Sequence, residues 1–284
     1  MFAYFHTTIP WVEVARRTIK EISDDNCLGL AAQLSFYFLL AVFPALLFFV
    51  ALLGYLPIGN LMENVLAALG TLAPTELVHL LRGQLTEIAE GRHASLLTIG
   101  IVGAIWSSSA AMVAIIDALN RAYDVIEWRP WWKRRLLALV LTIALALFII
   151  VSFVLVIVGP DVVATAAGWL DLAPVVATVW AILRWPVMVF GVLLGIDLVF
   201  HFAPNRPSRW VWVTPGSLVA VVSWMVSSFG FKYYVSNFAD YTATYGAIGG
   251  AIVAMVWFYV SSLAILIGAE VNGVLEHARR SPEY

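Results

Sequence analysis

Apolar runs of about twenty residues or more, one after another, decide what this chain can fold into. A helix must carry roughly 20 such residues to cross a bilayer, and no soluble interior can absorb six of them. The runs fall at about 28–55, 95–120, 136–159, 174–201, 211–233 and 245–273. Composition agrees: 62% of the 284 residues are hydrophobic, 12% are charged, and the mean hydropathy is +0.91. Soluble domains carry about 25% charged residues. The expected fold is therefore all-α, a polytopic membrane protein with six transmembrane helices in one membrane domain, 28–273. Glu13, Glu21, Asp24 and Asp25 precede the first run, so the N-terminal segment does not read as a signal peptide. Cys27 stands alone, which excludes an intramolecular disulfide.

Pro44 falls inside the first run, where a missing N–H predicts a kink. Residues 10–23 have apolar positions at helical spacing (Trp11, Val14, Thr18, Ile22) opposite Glu13, Arg16, Arg17 and Lys20. That pattern makes an amphipathic helix in segment 1–27, resting either on the membrane surface or on the protein's own end. Segment 56–94 is mixed in polarity and suggests two short helices, about 59–70 and 74–90, in an outer loop. The connection 160–173 is short and apolar, Pro204–Pro207 is a proline-fixed turn, and 274–284 is a tail.

Twelve of the sixteen Lys and Arg residues fall on one side of this topology. They lie in the N-terminal segment, after the second and fourth spans, and in the tail. Arg82, Arg92, Arg184 and Lys232 fall on the other. By the positive-inside rule both termini are expected in the cytoplasm and 56–94 outside.

Ionisable residues within spans are costly and mark candidate sites. Asp117, Asp197 and Glu270 lie near the cytoplasmic ends of the second, fourth and sixth spans, at helix C-termini that disfavour negative charge. Each needs a partner. Arg121 and His201, four residues beyond Asp117 and Asp197, share their helix faces. Gln33, Asn120 and Asn272 lie at the same depth. One reading is a polar vestibule for a head group or a proton relay; the other is a hydrogen-bond lock on the helix ends. Gly191 with Gly195, and Gly246 with Gly250, suit close helix packing within the chain or between copies in an oligomer. Arg129, Lys133, Arg134 and Arg135, set among tryptophans, suit contact with anionic membrane lipids rather than nucleic acid. The five histidines lack metal-ligand spacing and no glycine-rich phosphate loop is present, so no metal, cofactor or catalytic centre is expected.

Residues 30–44 (LAAQLSFYFLLAVFP) resemble the opening span of the YihY/BrkB family of bacterial membrane proteins. So do 118–124 (ALNRAYD), the Pro204-Asn205 turn leading to Pro215-Gly216, and the closing run from Tyr245 and Gly246 through Glu270 and Asn272. The resemblance implies six spans in the bacterial inner membrane and a link to envelope integrity and serum resistance. It also implies movement of lipid-linked material, suggested for some members, and a ribonuclease label that no constellation here matches. The expected function is transport or translocation of a lipid-like, anionic amphipath. The alternatives are a scaffold of envelope assembly and, last, a membrane-bound hydrolase.

Overall fold

The computed structural model describes residues 9–55, 94–168, 173–207, 210–238 and 241–280. Within these, side chains are described except at 46–55, 94–97, 153–168, 173–178, 180, 181, 184, 236–238, 241–248 and 280. The short helices expected in 56–94 lie outside the described residues, as do the side chain of Arg184 and the surroundings of Gly246.

Among the described residues every element is helical: α1 Trp11–Asp24, α2 Cys27–Tyr55, α3 Ala94–Ala122, α4 Trp131–Gly168, α5 Ala173–Phe202, α6 Pro215–Phe238 and α7 Tyr241–Arg280. The last six are long and apolar enough to cross a membrane. Helices suit lipid because each satisfies its own backbone hydrogen bonds. Leu136, Val140, Ile143 and Leu147 stand exposed on one stripe of α4, the surface that acyl chains would cover.

Several helix ends differ from the sequence reading. α4 starts at Trp131, because the Pro130 carbonyl accepts the N–H groups of Lys133 and Arg134, and the pairing of Arg134 with Asp117 offsets the cost of basic residues at a helix N-terminus. It continues past Pro160 to Gly168, through much of the expected connection. α7 runs on to Arg280, and Val274, Leu275 and Ala278 are buried, so most of the expected tail belongs to the packed body. α2 is helical through Pro44, whose ring packs beside Gly103 of α3.

Small residues set the packing. Ala31 of α2 meets Ala114 and Ala118 of α3, and α2 packs most extensively there. α6 and α7 approach more closely still: a Cβ on Gly216 would land on the Gly268 carbonyl oxygen, and one on Gly268 on the Gly216 carbonyl. Gly273 approaches the Ala122 carbonyl of α3 in the same way. Gly191 and Gly195 instead receive a side chain, the Phe148 ring, at 3.4 and 3.6 Å from where their Cβ atoms would be.

α1 packs on the bundle. Val14 is buried against Val271, Val274 and Leu275 of α7, while Trp11, Val12 and Ile19 remain on its outer side. Asn26, in the left-handed region at φ 53°, turns the chain from α1 into α2. Beside it, burial and then the carboxylates of Asp124, Glu21 and Asp24 hold the Asp25 pKa above its ordinary value, against the pull of Arg121. A raised carboxyl pKa means that ionised Asp25 opposes folding at neutral pH and that protonation relieves the cost. Asp25→Asn should therefore raise the thermal midpoint at neutral pH by at most about 1 kcal/mol of stability. The gain should fade as pH falls through the raised pKa, as a melting series across pH would show.

Candidate functional site

The C-terminal ends of α3, α5 and α7 and the N-terminal ends of α4 and α6 meet at one end of the bundle, where the basic loops gather. Asp124, in the left-handed region at φ 51°, ends α3, and the Val125 N–H returns to the Asn120 carbonyl at 2.8 Å. That turn sends residues 125–130 across the bundle end. Asn120, buried at the end of α3, then joins two loops. Its side-chain amide N–H donates to Glu127 Oε2 at 2.8 Å, and its side-chain Oδ1 accepts the Asn205 N–H at 2.8 Å. Arg129 closes a fork onto Glu127 (2.8 and 2.7 Å) and donates onward to the Ala203 carbonyl at 2.8 Å. Burial pushes the Glu127 carboxyl up, but the hydrogen bonds from Arg129 and Asn120 outweigh it and hold the pKa below its ordinary value.

A second network locks α6. Thr214 caps the helix: its hydroxyl accepts the Ser217 N–H at 3.1 Å, with Pro215 in the first helical position. The same hydroxyl donates to Asp197 at 2.6 Å and accepts from the Asn272 amide at 2.9 Å. Asn272 in turn accepts the Gly216 N–H at 2.9 Å. Asp197 and Glu270 are each 1% exposed. Glu270 accepts the Cys27 thiol at 3.1 Å, which ties α2 to α7. Asp117 pairs with Arg134 of α4 at 2.8 Å. Arg206 pairs with Glu276 and lies over the Tyr123 ring, 3.8 Å from its centroid.

The residues singled out in the sequence thus share one end of the bundle but engage different partners. Asp117 bonds Arg134 rather than Arg121, which is exposed, and Asp197 bonds Thr214 across the loop rather than His201. Gln33 is exposed on α2. Of the four cations assigned to lipid, Arg129 and Arg134 are held by carboxylates, Lys133 lies over Trp132, and Arg135 turns inward to Trp106.

His201 has a different neighbourhood, in edge contact with Phe202 and Trp210 at 4.6 and 5.1 Å. It lines an open cavity of about 590 Å³ with Trp128, Arg129, Phe202, Pro204, Asn205, Arg206 and Pro207. Glu127, Thr214, Asn205, Arg206 and Glu276 were not among the sequence candidates. They sit in loops or at helix ends, where a charged or polar residue carries no membrane penalty to reveal it. Only the Pro204-Asn205 and Pro215-Gly216 pairs pointed to these turns. Among the described residues, no group of three or more His, Cys, Asp or Glu side chains stands close enough to hold a metal ion.

Six long apolar helices with polar networks at one end define a multi-pass helical membrane protein. The chain matches the family described as Virulence factor BrkB over residues 18–284, and it belongs to that family. It is 36% identical over 253 residues to the ribonuclease-like protein YfkH of Bacillus subtilis, covering 89% of this chain and 91% of that one. It is also 27% identical to a UPF0761 membrane protein of Ralstonia nicotianae and 26% identical to one of Rhodospirillum centenum. Those alignments cover 93% and 94% of this chain but only 59% and 58% of the longer relatives. No solved structure matches.

Proposed function

We propose that this protein translocates an anionic, lipid-like amphipath across the bacterial cytoplasmic membrane, loading it at the basic end, which faces the cytoplasm with both termini. In this way it contributes to envelope integrity. The observation that carries the reading is the open cavity of about 590 Å³ between residues 128–129 and 201–207. Ligand sites commonly enclose about 300–1,000 Å³. Guanidinium, imidazole, amide and indole groups line it, while the balancing carboxylates of Glu127 and Glu276 are not among its lining residues. The His201 and Asn205 side chains suit a polar head group, and the indole of Trp128 suits an apolar stem.

The test is reconstitution of the full chain into liposomes carrying labelled phosphatidylglycerol or phosphatidylcholine. Phosphatidylglycerol should cross faster than in empty vesicles, and Trp128→Ala with His201→Ala should cut that excess about tenfold, some 1.4 kcal/mol. No movement above empty vesicles, across several head groups, would sink the proposal.

A second reading is a scaffold of envelope assembly. The engagement of Asp117, Asp197 and Glu270 in bonds between helices favours it, because such bonds fix the helix ends. In that case the same liposomes show no movement although the protein is folded. A hydrolase reading takes its support only from the name of the Bacillus relative.

A further inference from the structure

Arg135 is the fifth residue of α4, close to where that helix enters the membrane. A long cationic side chain at such a place ordinarily snorkels toward water. Arg135 does the opposite. Its Nη2 donates to the Trp106 carbonyl at 3.1 Å, and its guanidinium stands 4.3 Å from the centroid of the Trp106 ring. Trp106 lies sixteen residues before the end of α3 at Ala122. Asp117, which the neighbouring Arg134 reaches, lies eleven residues nearer that end, so Arg135 is directed toward the membrane interior while Arg134 is directed toward water. Arg135 itself starts four residues, about 6 Å, into α4, so its charge stays within the first turns of the span.

Among the described residues no acid cancels it. Arg134 is paired with Asp117 and Arg129 with Glu127, but among the described residues no carboxylate pairs with Arg135. A ring and a carbonyl orient a cation without neutralising it. The site also opens outward: Trp106 is 68% exposed, with Val102 and Ile99 exposed on the same helix. In a membrane, lipid is what reaches that surface. A lone cation there calls for an anion that arrives with its own apolar chains.

We propose that Arg135 and Trp106 form an intramembrane binding site for the phosphate of an anionic phospholipid, on the lipid-facing seam between α3 and α4. Arg135 spends one of its five N–H donors on the Trp106 carbonyl, and the others face the incoming phosphate. The acyl chains lie along the exposed apolar residues of the two helices. Lys133, over Trp132 and exposed, is two residues away and so projects from the opposite side of α4. The site stands apart from the translocation reading, since a lipid can be retained here by a protein that moves none.

The test places the full-length protein in phosphatidylcholine nanodiscs with a minority of phosphatidylglycerol of identical chains and counts retained lipids by native mass spectrometry. The wild type should retain phosphatidylglycerol in about tenfold preference, the scale of one charge-assisted contact. Arg135→Gln and Trp106→Leu should lose most of that preference, and Lys133→Gln should keep it. Added inorganic phosphate should not displace the lipid. Equal retention of both lipids by the wild type overturns the proposal even if no variant folds. So does full preference in a folded Arg135→Gln, or displacement by inorganic phosphate, which would make the ligand a soluble anion.

Discussion

Gly216→Ala should leave little stably folded protein. Gly216 is the second residue of α6, where that helix meets α7 backbone to backbone. The added methyl group would land on the Gly268 carbonyl oxygen, which is backbone and cannot swing aside, and on the Asn272 amide, which can move only by giving up its bonds to Gly216 and Thr214. α6 must back away. Overpacking of this kind costs about 1–3 kcal/mol. Retreat also breaks the Gly216 N–H bond to Asn272 and pulls on Thr214, which Asn272 and Asp197 hold together. A buried polar group left without its partner adds about 1–3 kcal/mol. The combined loss, about 3 kcal/mol or more, should appear as a large fall in the melting midpoint in mild detergent. Gly230→Ala is the control, because no atom lies within 4 Å of the Cβ it would gain. Its midpoint should match or slightly exceed that of the wild type, because alanine favours a helix interior over glycine, and an unchanged midpoint for Gly216→Ala would contradict the close approach.

Arg129→Ala should be nearly as damaging, and a second substitution should partly restore what it removes. The Arg129 and Glu127 side chains are only 14% and 16% exposed. Removing one partner of a partly buried ion pair strands the other, at about 3 kcal/mol or less, the low end of the range for fully buried pairs, whereas replacing both with apolar groups costs much less. Glu127→Leu with Arg129→Met should therefore melt above Arg129→Ala alone. Both should lose the cavity wall and, with it, lipid movement. The pair also carries a pH signature. The lowered Glu127 pKa makes the pin fully stabilising above the ordinary carboxylate pKa and weakens it as pH falls through the lowered value. The stability gap between wild type and the double variant should narrow in acid. A double variant that melts no higher than the single would contradict the pin.

The spans were legible because each is a long apolar run and the charges between runs have a side. The in-span acids were legible for the same reason: Asp197 and Glu270 stand out against hydrocarbon. Their partners were not. Helical spacing offered Arg121 and His201, but the bonds go to Arg134 and Thr214, whose positions depend on how a loop folds back across the bundle. Glycine spacing offered regular pairs, yet among the described residues the backbone approaches at Gly216, Gly268 and Gly273 are closer than those at Gly191 and Gly195. Periodicity describes one helix at a time. It carries no information about which residue a neighbouring helix or loop will present.

The proposed route depends on the basic end facing the cytoplasm, and cysteine accessibility tests that most directly. In a Cys27→Ser background, single cysteines at Lys20, Lys133 and His277 would be probed with a membrane-impermeant maleimide in intact spheroplasts. The account predicts no labelling until the membrane is permeabilised, and full labelling afterwards. Labelling of these positions in intact spheroplasts would put the cavity, the loop networks and the entrance to the α3–α4 seam on the outer side and contradict it.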